Sequence, residues 1–175
     1  MVRLGVISDS HGSLAAIDRC ISAARAAGGV DGWLHLGDYA SDARHIAEKT
    51  GLPVYSVLGN CDGSFFSEVE ENEFPKPQKL VTSERVVTVG GARILMCHGH
   101  MYDVDLANYT LSCRAEELNC AAALYGHTHR SELSAYGRVL MLNPGSPSRP
   151  RGGGRPSFAI LEAENGDVNA SIIIL

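Results

Sequence analysis

Seven residues able to bind metals or move protons stand at the ends of apolar runs. Asp9 and His11 follow VRLGVIS, Asp38 follows WLHLG, Asn60 follows LPVYSVLG, His98 opens HGH after RILMC, and His127 and His129 lie in GHTH after AAALY. Carboxylate and amide oxygens with imidazole nitrogens, and no thiolate, suit Mn, Fe, Co, Ni or Zn better than an all-oxygen calcium cage would. A carboxylate can offer one oxygen to each of two cations held ~3.5–4 Å apart, the spacing of two-metal phosphoester chemistry. Only Asp9 and Asp38 of the seven are anionic. With two divalent ions the site would stay net positive, which favours a phosphate anion over a neutral ester. Each short motif is weak alone; their coincidence at five strand ends carries the signal.

The elements that must position these residues alternate along the first third of the chain. VRLGVIS (2–8) is a short buried strand running into the polar DSHGS. Ser13 can cap a helix over 14–27, whose Leu14, Ile17, Ile21 and Ala24 recur at helical spacing before Gly28 and Gly29 end it. A second strand over 33–38, a helix over 41–50 and a third strand over 52–60 complete a β-α-β-α-β unit, which implies parallel strands with right-handed crossovers. The carboxyl ends of such strands share one edge, where ligands bind. The acidic segment 64–79, with Pro75 and Pro77 and no clean period, is expected to be an irregular rim. A hairpin over 85–100 turns at Gly90 and Gly91, and a helix is expected over 104–118, with Asp103 and Asp105 at its start. A strand then runs into GHTH. A hairpin over 132–143 turns at Tyr136 and Gly137, and two final strands flank Asn165, Gly166 and Asp167. The second half is therefore expected to be mostly antiparallel.

Composition bounds the function classes. A chain of 175 residues with 45% apolar and 20% charged residues fits one soluble domain over residues 1–175. With 15 basic against 20 acidic residues, a net charge of −5 leaves no basic track for nucleic acid and no attraction to an anionic membrane. The N-terminal apolar stretch is too short for a signal peptide, and no run has the length of a bilayer span. Five cysteines without a C-x-x-C pair predict a reduced, cytoplasmic protein. Phe65 and Phe66 raise the expectation of a homo-oligomeric contact.

In their order along the chain, DSH, GD, GN, HGH and GHTH resemble the calcineurin-like metallophosphoesterase superfamily. GNCD and LNPGSPSRPRGGGRPSFAIL (142–161) are similar to its small single-domain phosphodiesterase branch. The resemblance implies an α/β fold: a four-layer α-β-β-α sandwich of two mixed sheets flanked by helices. It implies a binuclear metal centre, with manganese the favoured ion and nickel, iron, cobalt or zinc as alternatives. Asp9, His11 and His129 would hold the first ion, Asn60, His98 and His127 the second, and Asp38 would bridge them. The reaction it implies is hydrolysis of a small phosphodiester by in-line attack of a hydroxide bridging the two metals, with Asn60 stabilising charge on the phosphoryl oxygens.

The chain departs from the wider superfamily after Asn60. Many members carry a histidine there that protonates the leaving group; here Cys61 and Asp62 follow. Cys61 reads as a small space-filling residue. Asp62 is a candidate acid or a turn residue, and His100 is a candidate catalytic or substrate contact. Arg149, Arg151 and Arg155 lie in a glycine-rich loop that can bring cations to the substrate, with Arg151 the candidate binding residue, or stay solvated. Asn143 and Ser146 flank a Pro-Gly turn, either beside the metals or purely structural. His35 reads as a core or ligand-orienting residue and His45 as a surface one. The alternatives to a phosphodiesterase are a phosphomonoesterase and a non-catalytic protein-binding scaffold of the same fold, like the retromer subunit.

Overall fold

A computed structural model describes residues 1–63 and 69–175. Phe65 and Phe66 lie outside the described residues. The first sheet contains β1 (Val2–Ile7), β2 (Gly32–His35), β3 (Val54–Ser56), β10 (Ser157–Glu164) and β11 (Asp167–Ile174), in the order β11-β10-β1-β2-β3. β1 pairs in parallel with β2, and β2 with β3, as the β-α-β-α-β pattern implies; β10 and β11 add antiparallel strands at the other side. The crossovers are α1 (Leu14–Ala26) and α2 (Asp42–Thr50).

The second sheet holds β4 (Glu70–Glu73), β5 (Glu84–Val89), β6 (Ala92–Cys97), β7 (Ala122–Leu124), β8 (Ser131–Tyr136) and β9 (Val139–Pro144), in the order β4-β5-β6-β7-β9-β8. The hairpins at Gly90–Gly91 and Gly137 form as expected. The mostly antiparallel expectation needs correction, because β4–β5, β6–β7 and β7–β9 are parallel pairs. The parallel join of β6 to β7 requires a long crossover, and α3 (Tyr109–Glu117) lies within it.

Two further expectations change. Part of the segment 64–79 is strand, since Glu70–Glu73 forms the edge of the sheet. Its alternating half-buried and exposed residues suit an edge, where charge blunts further strand pairing. The helix expected over 104–118 starts only at Tyr109. Asp103 takes a left-handed φ of 51° that ends the short 3-10 turn His100–Tyr102, so Asp103 and Asp105 precede the helix and do not begin it.

Why the strands read as continuous apolar runs is clear from the layers. Leu4, Val6, Leu34, Leu36 and Tyr55 of the first sheet meet Val87, Ile94, Met96, Leu124 and Leu142 of the second. On the outer face of the first sheet, Ile7, Trp33, Phe158 and Ile160 pack against Ile17, Ile21 and Ile46 of α1 and α2. On the outer face of the second, Val86, Leu95 and Met141 pack against Leu111 and Ala115 of α3. Both faces of the central strands are buried, so alternation disappears. Each fully buried leucine or isoleucine contributes roughly 1.5–3 kcal/mol. These layers form the four-layer α-β-β-α sandwich.

All five cysteines are free. Burial pushes the Cys20 thiol up to about 12 and Cys120 up to about 11, and raises Cys97 as well. Alkylation by iodoacetamide at about pH 8 needs an accessible thiolate. It is therefore expected to reach Cys61 and Cys113 and to spare the three buried thiols, as read by peptide mass spectrometry. Labelling of Cys20 in the native protein would contradict this packing.

Candidate metal centre

Backbone hydrogen bonds draw the strand ends of both sheets together. Asp9 N–H donates to the Gly37 carbonyl (3.2 Å), Gly126 N–H to that of His98 (2.9 Å), and His127 N–H crosses between sheets to Asp9 Oδ2 (3.1 Å). Asp9, His11, Asp38, His127 and His129 all have left-handed backbone, with φ from 47° to 68°. Such conformations are costly for non-glycine residues and persist only where the surroundings over-determine them. At a strand end they free neighbouring side chains from pointing to opposite faces, so His127 and His129 both turn inward. The glycines of GN and GH are required by close approach. A methyl group on Gly59 would sit 2.3 Å from Asp38 Oδ1, and one on Gly126 1.8 Å from Ser8 Oγ.

The donor atoms converge. One each from Asp9, His11, Asp38 and His129 lie within 4.8 Å of one another. His129 Nε2 is 3.3 Å from Asp9 Oδ1 and 3.2 Å from His11 Nε2, and His11 Nε2 is 3.7 Å from Asp38 Oδ2. The other oxygen, Asp38 Oδ1, lies 3.3 Å from His98 Nε2. Asp38 thus turns one oxygen to each group of ligands. Asn60 Oδ1 meets His127 Nδ1 at 3.1 Å, and the His98 and His127 rings stand 5.3 Å apart. This second trio is looser than the first group.

Several features fit a divalent ion. Asp9 Oδ1 and His98 Nε2 are buried and make no hydrogen bond, an expensive state unless another partner satisfies them. The outer nitrogens of the histidines are already assigned. His98 Nδ1–H donates to the Leu36 carbonyl (2.7 Å) and His129 Nδ1–H to that of Arg149 (2.6 Å), which leaves each Nε2 lone pair facing inward. His127 Nε2–H donates to Asp105 Oδ2 (2.8 Å), leaving Nδ1 toward Asn60. Carbonyls and carboxylates behind metal-binding imidazoles hold the tautomer in this way. Charge agrees. Burial opposes ionisation of Asp38, yet His98 and the Cys61 N–H hold its carboxyl well below the usual range. Burial opposes protonation of His98, yet the Asp38 and Asp9 carboxylates outweigh it and favour positive charge at Nε2, where a metal cation would take the proton's place and use the lone pair.

A buried relay spaces the ligand turns. Gly37 N–H donates to His35 Nδ1 (3.3 Å), so His35 Nε2–H donates to Ser10 Oγ (2.8 Å), whose hydroxyl donates to Asp42 Oδ2 (2.7 Å). Burial lowers the His35 pKa and keeps the ring neutral for this role. Ser10 lies between Asp9 and His11, and His35 shortly precedes Asp38. Removing the Ser10 hydroxyl would uncouple them. Ser10→Ala is therefore expected to weaken metal binding by roughly 10- to 100-fold, the usual cost of losing an outer partner. Titration against a metal-binding dye checks this, and unchanged affinity would exclude the relay from positioning.

The remaining candidates divide. Asp62 is a brace: Oδ1 accepts from the N–H groups of Tyr39 and Ala40 (both 2.9 Å) and Oδ2 from that of Gly59 (2.8 Å). With both oxygens spent on the backbone, it has no geometry for the acid role that its place after Asn60 raised. Cys61 is exposed and fills no core space; burial and then Asp38 raise its thiol pKa, which makes it a poorer acid still. His100 belongs to the centre's wall, its ring 5.5 Å from His98 and 6.0 Å from His127, with its pKa lowered by burial and by those two rings. Asn143 and Ser146 are braces beside the ligands. Asn143 Nδ2 donates to the Gly126 carbonyl (2.8 Å) and Ser146 Oγ to that of Asp9 (2.8 Å). His45 pairs with Asp18 between the helices (2.8 Å), and Arg155 is exposed. Sequence reasoning missed the roles of Asp105, Ser10 and Asp42, and that of Ser148, whose Oγ donates to the Ser10 carbonyl (2.9 Å). Only Ser10, inside DSH, carried a signal.

Comparison with known proteins agrees with this geometry. The chain is 33% identical over 162 residues to a probable metallophosphoesterase, YsnB, of Bacillus subtilis, covering 91% of this chain and 83% of that protein. It is 29% identical to the phosphodiesterase YfcE of Escherichia coli K12, over 93% of this chain and 88% of that one. A crystal structure of a predicted phosphoesterase from Streptococcus pneumoniae superposes with a TM-score of 0.72 at 28% identity, covering 99% of this chain and 89% of that one. The sequence profile of the calcineurin-like phosphoesterase superfamily domain matches residues 2–166, and the chain belongs to that family.

Proposed function

We propose that the chain is a two-metal phosphodiesterase in which Asp9, His11 and His129 hold one divalent ion, Asn60, His98 and His127 hold a second, and Asp38 bridges them. The observation that carries this reading is the convergence of donor atoms whose tautomers and charges are already set, with Asp9 Oδ1 and His98 Nε2 left without hydrogen bonds. Family membership supports a metal-dependent phosphoric ester hydrolase; phosphodiesters as substrates, two ions and manganese as the favoured metal are the finer part of the proposal. When bound, two such cations supply a water of lowered pKa as nucleophile and neutralise charge on the phosphoryl oxygens.

The chain's own residues do the rest. Asn60, with its amide at the centre's rim, offers an N–H to a phosphoryl oxygen. His100 is kept neutral by burial and faces the same space, where its ring can contact a substrate oxygen. With Asp62 committed to the backbone and the Cys61 thiol raised, no strong general acid stands after Asn60. Substrates whose leaving groups depart without protonation, such as aryl diesters, are therefore favoured. We further place the protein as a single domain in the cytoplasm, a reading its free cysteines support. Among the described residues no helix is long and apolar enough to cross a membrane.

Metal analysis after chelator-free purification, followed by hydrolysis of bis(p-nitrophenyl) phosphate with added Mn, tests the reading. Bound metal and chelator-sensitive hydrolysis are expected. A folded, metal-free, inactive protein would favour the scaffold, and a preference for p-nitrophenyl phosphate would favour a phosphomonoesterase.

A further inference from the structure

A cavity of about 450 Å³ opens beside the centre, a size typical of small-molecule sites. Its near wall includes Asp105, which receives the His127 Nε2 hydrogen bond at 2.8 Å, and Thr128, which stands between the two ligand histidines. Farther out lie Glu132 and Tyr136. Arg130 and Arg151 also line it.

Both arginines are tied to the histidine turn by their backbones. Arg151 N–H donates to the His129 carbonyl (3.1 Å), and Arg130 N–H to Thr128 Oγ1 (3.2 Å). Arg130 lies against the loop of Arg151, since a methyl group on Gly152 would come within 2.8 Å of Arg130 Nε. Among the described residues neither guanidinium forms an ion pair with a carboxylate. The acids of the cavity are engaged elsewhere: Glu132 Oε1 accepts from Asn108 (2.8 Å) and Ser134 (2.9 Å), and Asp105 from His127. Among the described residues, two guanidinium groups without a carboxylate ion pair therefore share one cavity beside the candidate metal centre. A guanidinium fork matches the geometry of carboxylate or phosphate.

We infer that the physiological substrate carries a second anionic group, a phosphate or a carboxylate, and that Arg130 and Arg151 bind it in this cavity while the reacting diester occupies the centre. The inference rests on the phosphodiesterase reading and adds its substrate class. A diester with one substituent in the cavity and the other toward solvent satisfies both sites. Glu132 and Asp105 keep their negative charge, so the arginines would hold the anion through direct guanidinium contacts, not through a net positive field.

Three p-nitrophenyl phosphodiesters separate the possibilities: a propyl ester, a carboxypropyl ester and a phosphopropyl ester, each assayed with the metal-loaded full-length protein. The charged esters are expected to exceed the propyl ester in kcat/KM by roughly 10- to 100-fold, the worth of charge-assisted contacts. The gain should lie mainly in KM and shrink with added salt. The better of the two charged esters identifies the anion. In the Arg130→Gln/Arg151→Gln double variant this ratio should collapse toward one. No preference in the wild type, or a preference that survives in the variant, overturns the inference. If none of the esters is hydrolysed, the phosphodiesterase reading fails separately, and calorimetry still decides the cavity. Propane-1,3-diyl bisphosphate should then bind more tightly than propyl phosphate to the wild type only, and equal binding overturns the inference.

Discussion

Asp38→Asn is expected to lower metal-supported hydrolysis of bis(p-nitrophenyl) phosphate by roughly a thousandfold or more, at least the scale of losing a preorganised electrostatic group. The expectation follows from the two oxygens of Asp38 facing different ligands, Oδ1 toward His98 and Oδ2 toward His11. An amide keeps the shape and still accepts the Cys61 N–H through one oxygen, now made at 3.0 Å. It cannot offer a second anionic oxygen, and it removes one of only two negative charges among the seven ligands. Metal content measured alongside activity tells loss of an ion from loss of rate. Activity within a few-fold of wild type would sink the bridging role.

Separating the two histidines of GHTH should divide the centre. His129→Ala is expected to strip the ion shared with Asp9 and His11, because His129 Nε2 sits at 3.3 Å from Asp9 Oδ1 and 3.2 Å from His11 Nε2. His127→Ala is expected to strip the ion shared with Asn60 and His98, and to leave Asp105 without its partner. Each loss of affinity should exceed the roughly 10- to 100-fold typical of removing an outer partner. Metal-to-protein ratios by mass spectrometry should fall from two to one in both variants. Double variants then discriminate: His129→Ala with His11→Ala should keep the second ion, whereas His129→Ala with His98→Ala should keep neither. Identical behaviour of both pairs would mean that the ligands do not divide as assigned.

Much of the fold was legible because its causes are local. Apolar runs of strand length leading into polar turns mark β1, β2 and β3, and Gly90–Gly91 marks a hairpin whose residues can adopt positive φ. What failed was non-local. Glu70–Glu73 has neither apolar content nor period of its own, and becomes a strand only because β5 offers an open edge. Likewise β6 and β7 pair in parallel because the chain returns through α3, and β7 and β9 because the intervening β8 takes the sheet's edge.

The candidate site shows the same division. Ligand types and their place at strand ends are legible in the chain alone, because a metal needs particular donor atoms and a sheet edge gathers the residues just beyond each strand. The task of each polar residue is set by tertiary packing, because a hydrogen bond depends on a partner that can be far away along the chain. Asp62 and Asp105 are both acids in polar turns, yet one is consumed by three backbone N–H groups and the other supports a histidine 22 residues later. Ser146 reaches Asp9 across 137 positions. No periodicity or spacing encodes such a contact; only the packing of two sheets brings those atoms within reach.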